Sequence, residues 1–128
     1  MSGAVKLRPV VQAFAETMGR KLRANDWKGG WGNDSAANLL VRVVEEIAEM
    51  VPLIVAREES KAIVKLLHHA AADIEDAMTR DVASDRARAR VRGEAADVAN
   101  MVMMVADACE ALRDGDTIGD ARSDPATT

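Results

Sequence analysis

Apolar side chains at three- and four-residue spacing are the feature of this sequence that most restricts its fold. In residues 9–23 they fall at Val10, Phe14, Met18 and Leu22, which places them on one face of an α-helix. Helix-forming residues such as Ala, Leu, Met, Arg and Glu dominate the composition, and β-branched runs are short. The sequence therefore predicts an all-α fold.

Two further stretches continue the helical pattern. Ser35 is a suitable N-cap for a second helix that runs to Val51, where Pro52 forces a kink or a new start. A third, amphipathic stretch carries its apolar residues on one stripe, made of Ile63, Leu66, Leu67, Ala70, Ile74 and Met78.

The fourth helix and the breaks in periodicity complete the predicted organisation. Residues 80–92 are dense in arginine, Gly93 interrupts or weakens the helix after them, and a strongly apolar helix is expected over residues 94–112. Residues 25–34, NDWKGGWGND, break all periodicity and are predicted to be a loop. Residues 114–128 have turn residues and acid but no apolar period, and are predicted to be a disordered tail.

Length and charge limit the class of protein. Residues 1–113 fit a single four-helix-bundle-like domain with short connections. The net charge of −4 predicts no general attraction to nucleic acid or to an anionic membrane, and no apolar stretch is long enough to span a bilayer. A single cysteine, Cys109, excludes an internal disulfide. The N-terminus lacks the apolar core of a signal peptide, so a cytoplasmic location is expected.

The second predicted helix contains an acidic motif, EEIAE. Glu46 and Glu49 lie on one face of that helix, and Glu45 lies one turn behind Glu49. Three like charges this close repel each other unless a cation lies between them. A solvated acidic face is the alternative interpretation.

The fourth predicted helix carries a second acidic pair, Glu94 and Asp97. Apolar residues cover most of its circumference, which predicts a buried helix with both carboxylates in the interior. A buried carboxylate must be protonated, paired or bound to metal. Arg90, one turn before Glu94, offers a salt bridge as the alternative.

Two acidic pairs on helices that pack together would place four carboxylates around one point. Such an all-oxygen set suits Mg²⁺ or Mn²⁺. Di-iron bundles need Glu-x-x-His pairs, and neither acidic motif has a histidine at that spacing. His68 and His69 are therefore predicted to be surface or packing residues, and Cys109 a small core residue.

At this point the sequence resembles the MazG-like all-α nucleoside triphosphate pyrophosphohydrolases, in particular their compact single-domain type. The residues that carry the resemblance are FAETMGRKLRANDWKGGW, LLVRVVEEIAEM and GEAADVANMVMMVAD, in the order of the family. The interval between Glu49 and Glu94 is longer than in the smallest members of the family, which affects the expected packing.

The resemblance implies an activity and a set of site residues. The family cleaves nucleoside triphosphates between the α- and β-phosphates, and its members work as dimers or tetramers. Glu46, Glu49, Glu94 and Asp97 would hold Mg²⁺, and Glu45 would be a further ligand or orient the attacking water. Asn100, one turn beyond Asp97, matches the position that helps to hold the nucleotide.

Cationic and aromatic side chains add candidate contacts to a nucleotide. Lys28 and Arg90 could reach phosphate groups, and Arg42 and Arg86 are further candidates; each is otherwise a solvated charge. Trp31 could stack on a base or latch the loop to the bundle.

Alternatives remain at this level. Within the superfamily, the chain could be selective for dUTP or dCTP, or act on phosphoribosyl-ATP. From another class, it could be a non-catalytic helical interaction module. The apolar surface of the third and fourth helices exceeds what one bundle of this length can cover, which predicts a homodimer or a dimer of dimers.

Overall fold

The described part of the chain folds into α-helices. A computed structural model of the chain describes residues 5–24 and 31–112, and these contain helices but no strand. The helices are α1 (Pro9–Ala24), α2 (Ala36–Ile54), α3 (Arg57–Asp76) and α4 (Asp85–Ala108). The all-α class is confirmed. The predicted tail, residues 114–128, and most of the predicted loop, residues 25–30, lie outside the described residues.

The start of α2 agrees with the prediction, and its end does not. Ser35 is the N-cap, and its hydroxyl oxygen accepts a hydrogen bond of 3.1 Å from the backbone N–H of Asn38. The predicted end at Val51 is wrong, because α2 continues through Pro52 to Ile54. A proline in the last turn removes one N–H donor but leaves too little helix after it for a kink to matter.

The bounds predicted for the fourth helix were wrong at both ends. α4 begins at Asp85, after Ser84, whose hydroxyl oxygen accepts a hydrogen bond of 3.0 Å from the N–H of Ala87. The helix passes through Gly93 and ends at Ala108. One interior glycine costs about 1 kcal/mol, which the cap and the good helix formers on both sides offset.

The end of α4 is closed by a left-handed residue. Glu110 has φ of 60°, its N–H bonds to the carbonyl of Asp107 at 2.9 Å, and the N–H of Ala111 bonds to the carbonyl of Ala106 at 2.9 Å. This is the hydrogen-bond pattern of a Schellman motif. It satisfies carbonyls that the helix leaves open, and it stops the helix before Leu112.

The chain divides into two compact units, of which residues 31–81 form one. In this unit α2 and α3 pack together as an antiparallel pair joined through Val55 and Ala56. The side chains buried on α2 are Val41 and Ala48, and those on α3 are Ser60 and Ala71. Three of these four side chains are small, which lets the two helix backbones approach closely.

The other unit contains α1 and α4, which contact each other. No residue of α1 is buried, although Phe14 is half-buried, and the only buried residue of α4 is Met103. The prediction of a fourth helix buried all round is therefore wrong for the single chain. Met101 is 61% exposed, and Cys109 is exposed rather than part of a core.

The predicted stripe of the third helix is divided between two environments. Leu67 and Ile74 are half-buried, whereas Leu66 is exposed and Met78 lies beyond the end of α3 at 94% exposure. The side of α3 that packs on α2 is thus shifted by about one residue from the predicted stripe, since Ala71 is buried and Ala70 is exposed. None of the helices in residues 5–24 and 31–112 is both long and apolar enough to cross a membrane.

The close packing of α2 and α3 can be tested with one pair of variants. Ala71 is 4% exposed, so Ala71→Leu should force the helices apart and lower the free energy of unfolding by about 1–3 kcal/mol. Ala72 is exposed on the neighbouring side of α3, and Ala72→Leu should change stability by less than about 0.5 kcal/mol. Urea denaturation measures both; equal effects of the two variants would contradict the described packing.

Candidate functional site

The acidic motif of α2 faces away from α3. Glu46 lies on the side of the helix away from the buried residues Val41 and Ala48, whereas Glu49 and Glu45 lie on the flank. All three glutamates are exposed. Because the buried side is occupied by α3, the motif presents its carboxylates outward.

None of these three carboxylates has a hydrogen bond or an ion pair within the described part of the chain. The nearest cation along the helix, Arg42, instead forms an ion pair with Asp34 at 3.7 Å. Like charges one turn apart in a helix destabilise it by a few tenths of a kcal/mol per pair. Among the described residues, the motif is therefore a concentration of negative charge in which no carboxylate forms an ion pair.

The second acidic pair lies on α4. Glu94 and Asp97 are one turn apart on one side of this helix, and both are exposed. The prediction that they point into an interior is wrong, because every residue from 91 to 101 is exposed. The alternative salt bridge is not formed either: no ion pair joins Arg90 to Glu94 where both are described.

The two acidic pairs belong to different compact units. The motif of α2 lies in residues 31–81, and Glu94 and Asp97 lie in the unit that contains α1 and α4. Within the part of the chain that is described, no three or more His, Cys, Asp or Glu side chains are grouped so as to hold a metal ion. A four-carboxylate site therefore remains a prediction. The donor set suits a hard cation, since each pair offers only carboxylate oxygens without a competing partner.

The end of the predicted loop is fixed to α2. The N–H of Asp34 bonds to the carbonyl of Trp31 at 3.1 Å, and the carboxylate of Asp34 pairs with Arg42. Trp31 is 58% exposed, so it has a free ring surface rather than a fully packed one. The sequence analysis did not predict the ion pair between Asp34 and Arg42. The position of Asp34 just before the N-cap Ser35 was the one feature of the sequence that indicated a contact with the start of α2.

The remaining candidates have simple positions. Asn100 is exposed on α4, one turn beyond Asp97. His68 and His69, predicted to be surface or packing residues, are both exposed on α3. Lys28 lies outside the described residues.

Comparison with known proteins adds no relative. No family model matches this sequence, and neither a curated protein nor a solved structure matches it. The resemblance to the MazG-like family therefore rests on the motifs of the sequence itself.

The exposure of the α4 carboxylates predicts how substitutions affect stability. Glu94→Gln should change the free energy of unfolding of the metal-free protein by no more than about 0.5 kcal/mol, because an exposed and unpaired side chain contributes little. Asp85→Asn is the contrasting variant, because Asp85 lies in the first turn of α4 and bonds to Arg88. It should destabilise the protein measurably. Urea denaturation in the presence of a chelator compares them, and a larger loss for Glu94→Gln would indicate a structural ion pair.

Proposed function

We propose that this chain hydrolyses a nucleoside or deoxynucleoside triphosphate between the α- and β-phosphates, giving the monophosphate and pyrophosphate, with Mg²⁺ or Mn²⁺ as cofactor. One observation carries the proposal: two helices each present a pair of exposed carboxylates one turn apart, and none of these carboxylates has a partner among the described residues. The sequence motifs around both pairs support the same conclusion through their resemblance to the MazG-like family.

The proposed metal ligands are Glu46 and Glu49 of α2 and Glu94 and Asp97 of α4. The chemistry supplied by bound Mg²⁺ is neutralisation of the phosphate charge, polarisation of the phosphoryl group and a lowered pKa of bound water. Glu45, on the flank of the acidic motif, would orient the attacking water and accept its proton. Bringing both pairs to one metal requires α2 and α4 to approach each other, within one chain or between two copies.

The nucleotide itself would be held by other side chains. Arg90 would contact phosphate oxygens and Asn100 the nucleoside, and Lys28 would approach the phosphates from the loop. The exposed ring of Trp31 offers a flat apolar surface to the base. Because Asp34 fixes the end of the loop to α2, the ring lies in the same unit as the acidic motif.

A homodimer or a dimer of dimers completes the proposal. Several large apolar side chains are exposed on α2, α3 and α4. They include Leu40, Val43, Ile54, Leu66, Met101 and Met104. Exposed apolar surface of this extent is typical of an interaction site. Association of identical copies would cover it and would bring further carboxylates to each site.

Activity is tested with a panel of nucleoside triphosphates. Pyrophosphate should be released only when Mg²⁺ or Mn²⁺ is present, and either metal should raise the melting temperature by binding the native state. Glu46→Gln should abolish both effects. Glu75→Gln removes an exposed glutamate from α3, outside both motifs, and should leave both unchanged. If no nucleoside triphosphate is hydrolysed and neither metal changes the melting temperature, the proposed activity is wrong.

The base contact of Trp31 gives a separate expectation. Trp31→Ala should change the ranking of kcat/KM among bases more than it lowers activity overall, since stacking depends on the base and the metal chemistry does not. Trp31→Phe keeps a ring and should restore most of the parental ranking. An unchanged ranking in Trp31→Ala would show that the ring serves only to pack the loop.

The oligomeric state is measured by light scattering at micromolar concentration. The mass should be at least twice the 13.7 kDa of one chain. Leu66→Glu, on the exposed apolar side of α3, should shift the protein toward monomer, whereas Lys65→Glu on its polar side should not. A monomeric parent protein would remove the claim.

The same exposed apolar residues also favour a second candidate, a non-catalytic helical interaction module. Met101 and Met104 on α4 could form an adaptable apolar surface for another helix. This candidate predicts association without metal and no pyrophosphate release from any nucleotide. The nucleotide panel therefore decides between the two candidates.

A further inference from the structure

Four arginines alternate along the first part of α4. They are Arg86, Arg88, Arg90 and Arg92. Residues two apart in a helix point to nearly opposite sides, and residues four apart point to the same side. Arg86 and Arg90 therefore share one side of α4, while Arg88 and Arg92 share the other, which is also the side of the buried Met103.

Among the described residues, one of the four arginines has a hydrogen-bond partner. Arg88 donates hydrogen bonds to the carboxylate of Asp85 and to the carbonyl of Ala83, so it is tied to the start of its own helix. Arg86 and Arg90 are exposed and have no hydrogen bond or ion pair with any residue that the structure describes. Arg92 is likewise exposed and without a partner among these residues, so what distinguishes Arg86 and Arg90 is that they share a side of α4 with Glu94 and Asp97.

This placement is unfavourable for the isolated helix. The N-terminus of a helix carries a partial positive charge, so a cation in the first turn, here Arg86, is destabilising, and two cations one turn apart, here Arg86 and Arg90, repel each other. A local rule broken without a compensating contact is typical of a functional site. An anion bound between Arg86 and Arg90 would remove both penalties.

The side of α4 that carries Arg86 and Arg90 presents three kinds of side chain in sequence. Arg86 and Arg90 come first, then Glu94 and Asp97, and then the exposed Met101. At 1.5 Å per residue, Arg90 precedes Glu94 by about 6 Å along the helix axis. Along one exposed side, cations are followed by the proposed metal ligands and then by an apolar surface. A metal-bound nucleotide has this order too, from its terminal phosphates to its base.

We infer that Arg86 and Arg90 form a binding site for the pyrophosphate part of the nucleotide, that is, its β- and γ-phosphates. The inference rests on the proposed function. Guanidinium groups donate two parallel hydrogen bonds to phosphate oxygens, and two of them one turn apart suit a ligand with two adjacent phosphates. The carboxylates beyond them cannot contact phosphate directly and would do so through the metal. The nucleoside monophosphate, the other product, makes no contact with Arg86.

The test measures binding of inorganic pyrophosphate to the full chain by calorimetry with Mg²⁺ present. Arg86→Gln and Arg90→Gln should each weaken binding about tenfold or more, as expected for loss of a charge-assisted hydrogen bond. Arg92→Gln removes the same charge from the opposite side of the same helix and should leave the affinity within about twofold, because an exposed charge at that distance is screened by salt. Nucleoside monophosphate should bind the parent and Arg86→Gln equally.

The outcomes separate this inference from the proposed function. If the parent hydrolyses nucleotides but Arg86→Gln binds pyrophosphate as well as Arg92→Gln does, the arginine site is overturned and the enzyme stands. If no nucleotide is hydrolysed but pyrophosphate binding is lost only in Arg86→Gln and Arg90→Gln, the site stands and the enzyme fails. Equal losses in all three variants, or tighter binding of a single-stranded oligonucleotide that Arg92→Gln also weakens, would indicate diffuse attraction to phosphate and overturn the site. Urea denaturation confirms that each variant is folded.

Discussion

The close approach of α2 and α3 is the interaction on which the arrangement of the α2 unit depends. Ala48 and Ala71 are almost completely buried, and Ser60, nearer the start of α3, is also buried, with its hydroxyl donating to the carbonyl of Arg57. This contact fixes the rotation of α2 about its own axis. The acidic motif consequently faces outward, and the ion pair between Asp34 and Arg42 removes the nearest cation from it. The exposure of the three carboxylates therefore follows from the packing of α2 on α3.

Periodicity and caps predicted most of the fold. Four helical stretches and the N-cap Ser35 follow from local preferences, which need no knowledge of tertiary structure. Helix ends were less predictable, because Pro52 and Gly93 are breakers whose cost is only a few kcal/mol or less. The helix-forming preference of the neighbouring residues decides whether the helix continues through them. In α4 the cap at Ser84 and the good helix formers on both sides outweigh Gly93.

Burial was the property that the sequence predicted least well. A helix that is apolar all round was expected to be covered, yet Val98 and Met101 remain exposed in the single chain. The pattern of apolar residues predicts which surfaces favour burial, but it does not identify the partner that buries them. For the same reason, the sequence identified Glu94 and Asp97 as a pair but placed them in an interior. It could not show the contact of Asp34 with Arg42, which depends on how the end of the loop is oriented.

Gly93 separates the arginine section of α4 from its carboxylate section. Apart from its chain neighbours and the adjoining backbone of α4, a methyl group in place of its hydrogen would meet no atom within 4 Å, so packing does not demand glycine there. After proline, glycine is the residue least favourable in the interior of an α-helix. The amides of residues 85–92 should therefore open independently and exchange with solvent faster than those beyond Gly93. The two sections then differ in stability, and an anion that bridges Arg90 and a metal on Glu94 would slow exchange on the N-terminal side by joining them into one cooperative segment.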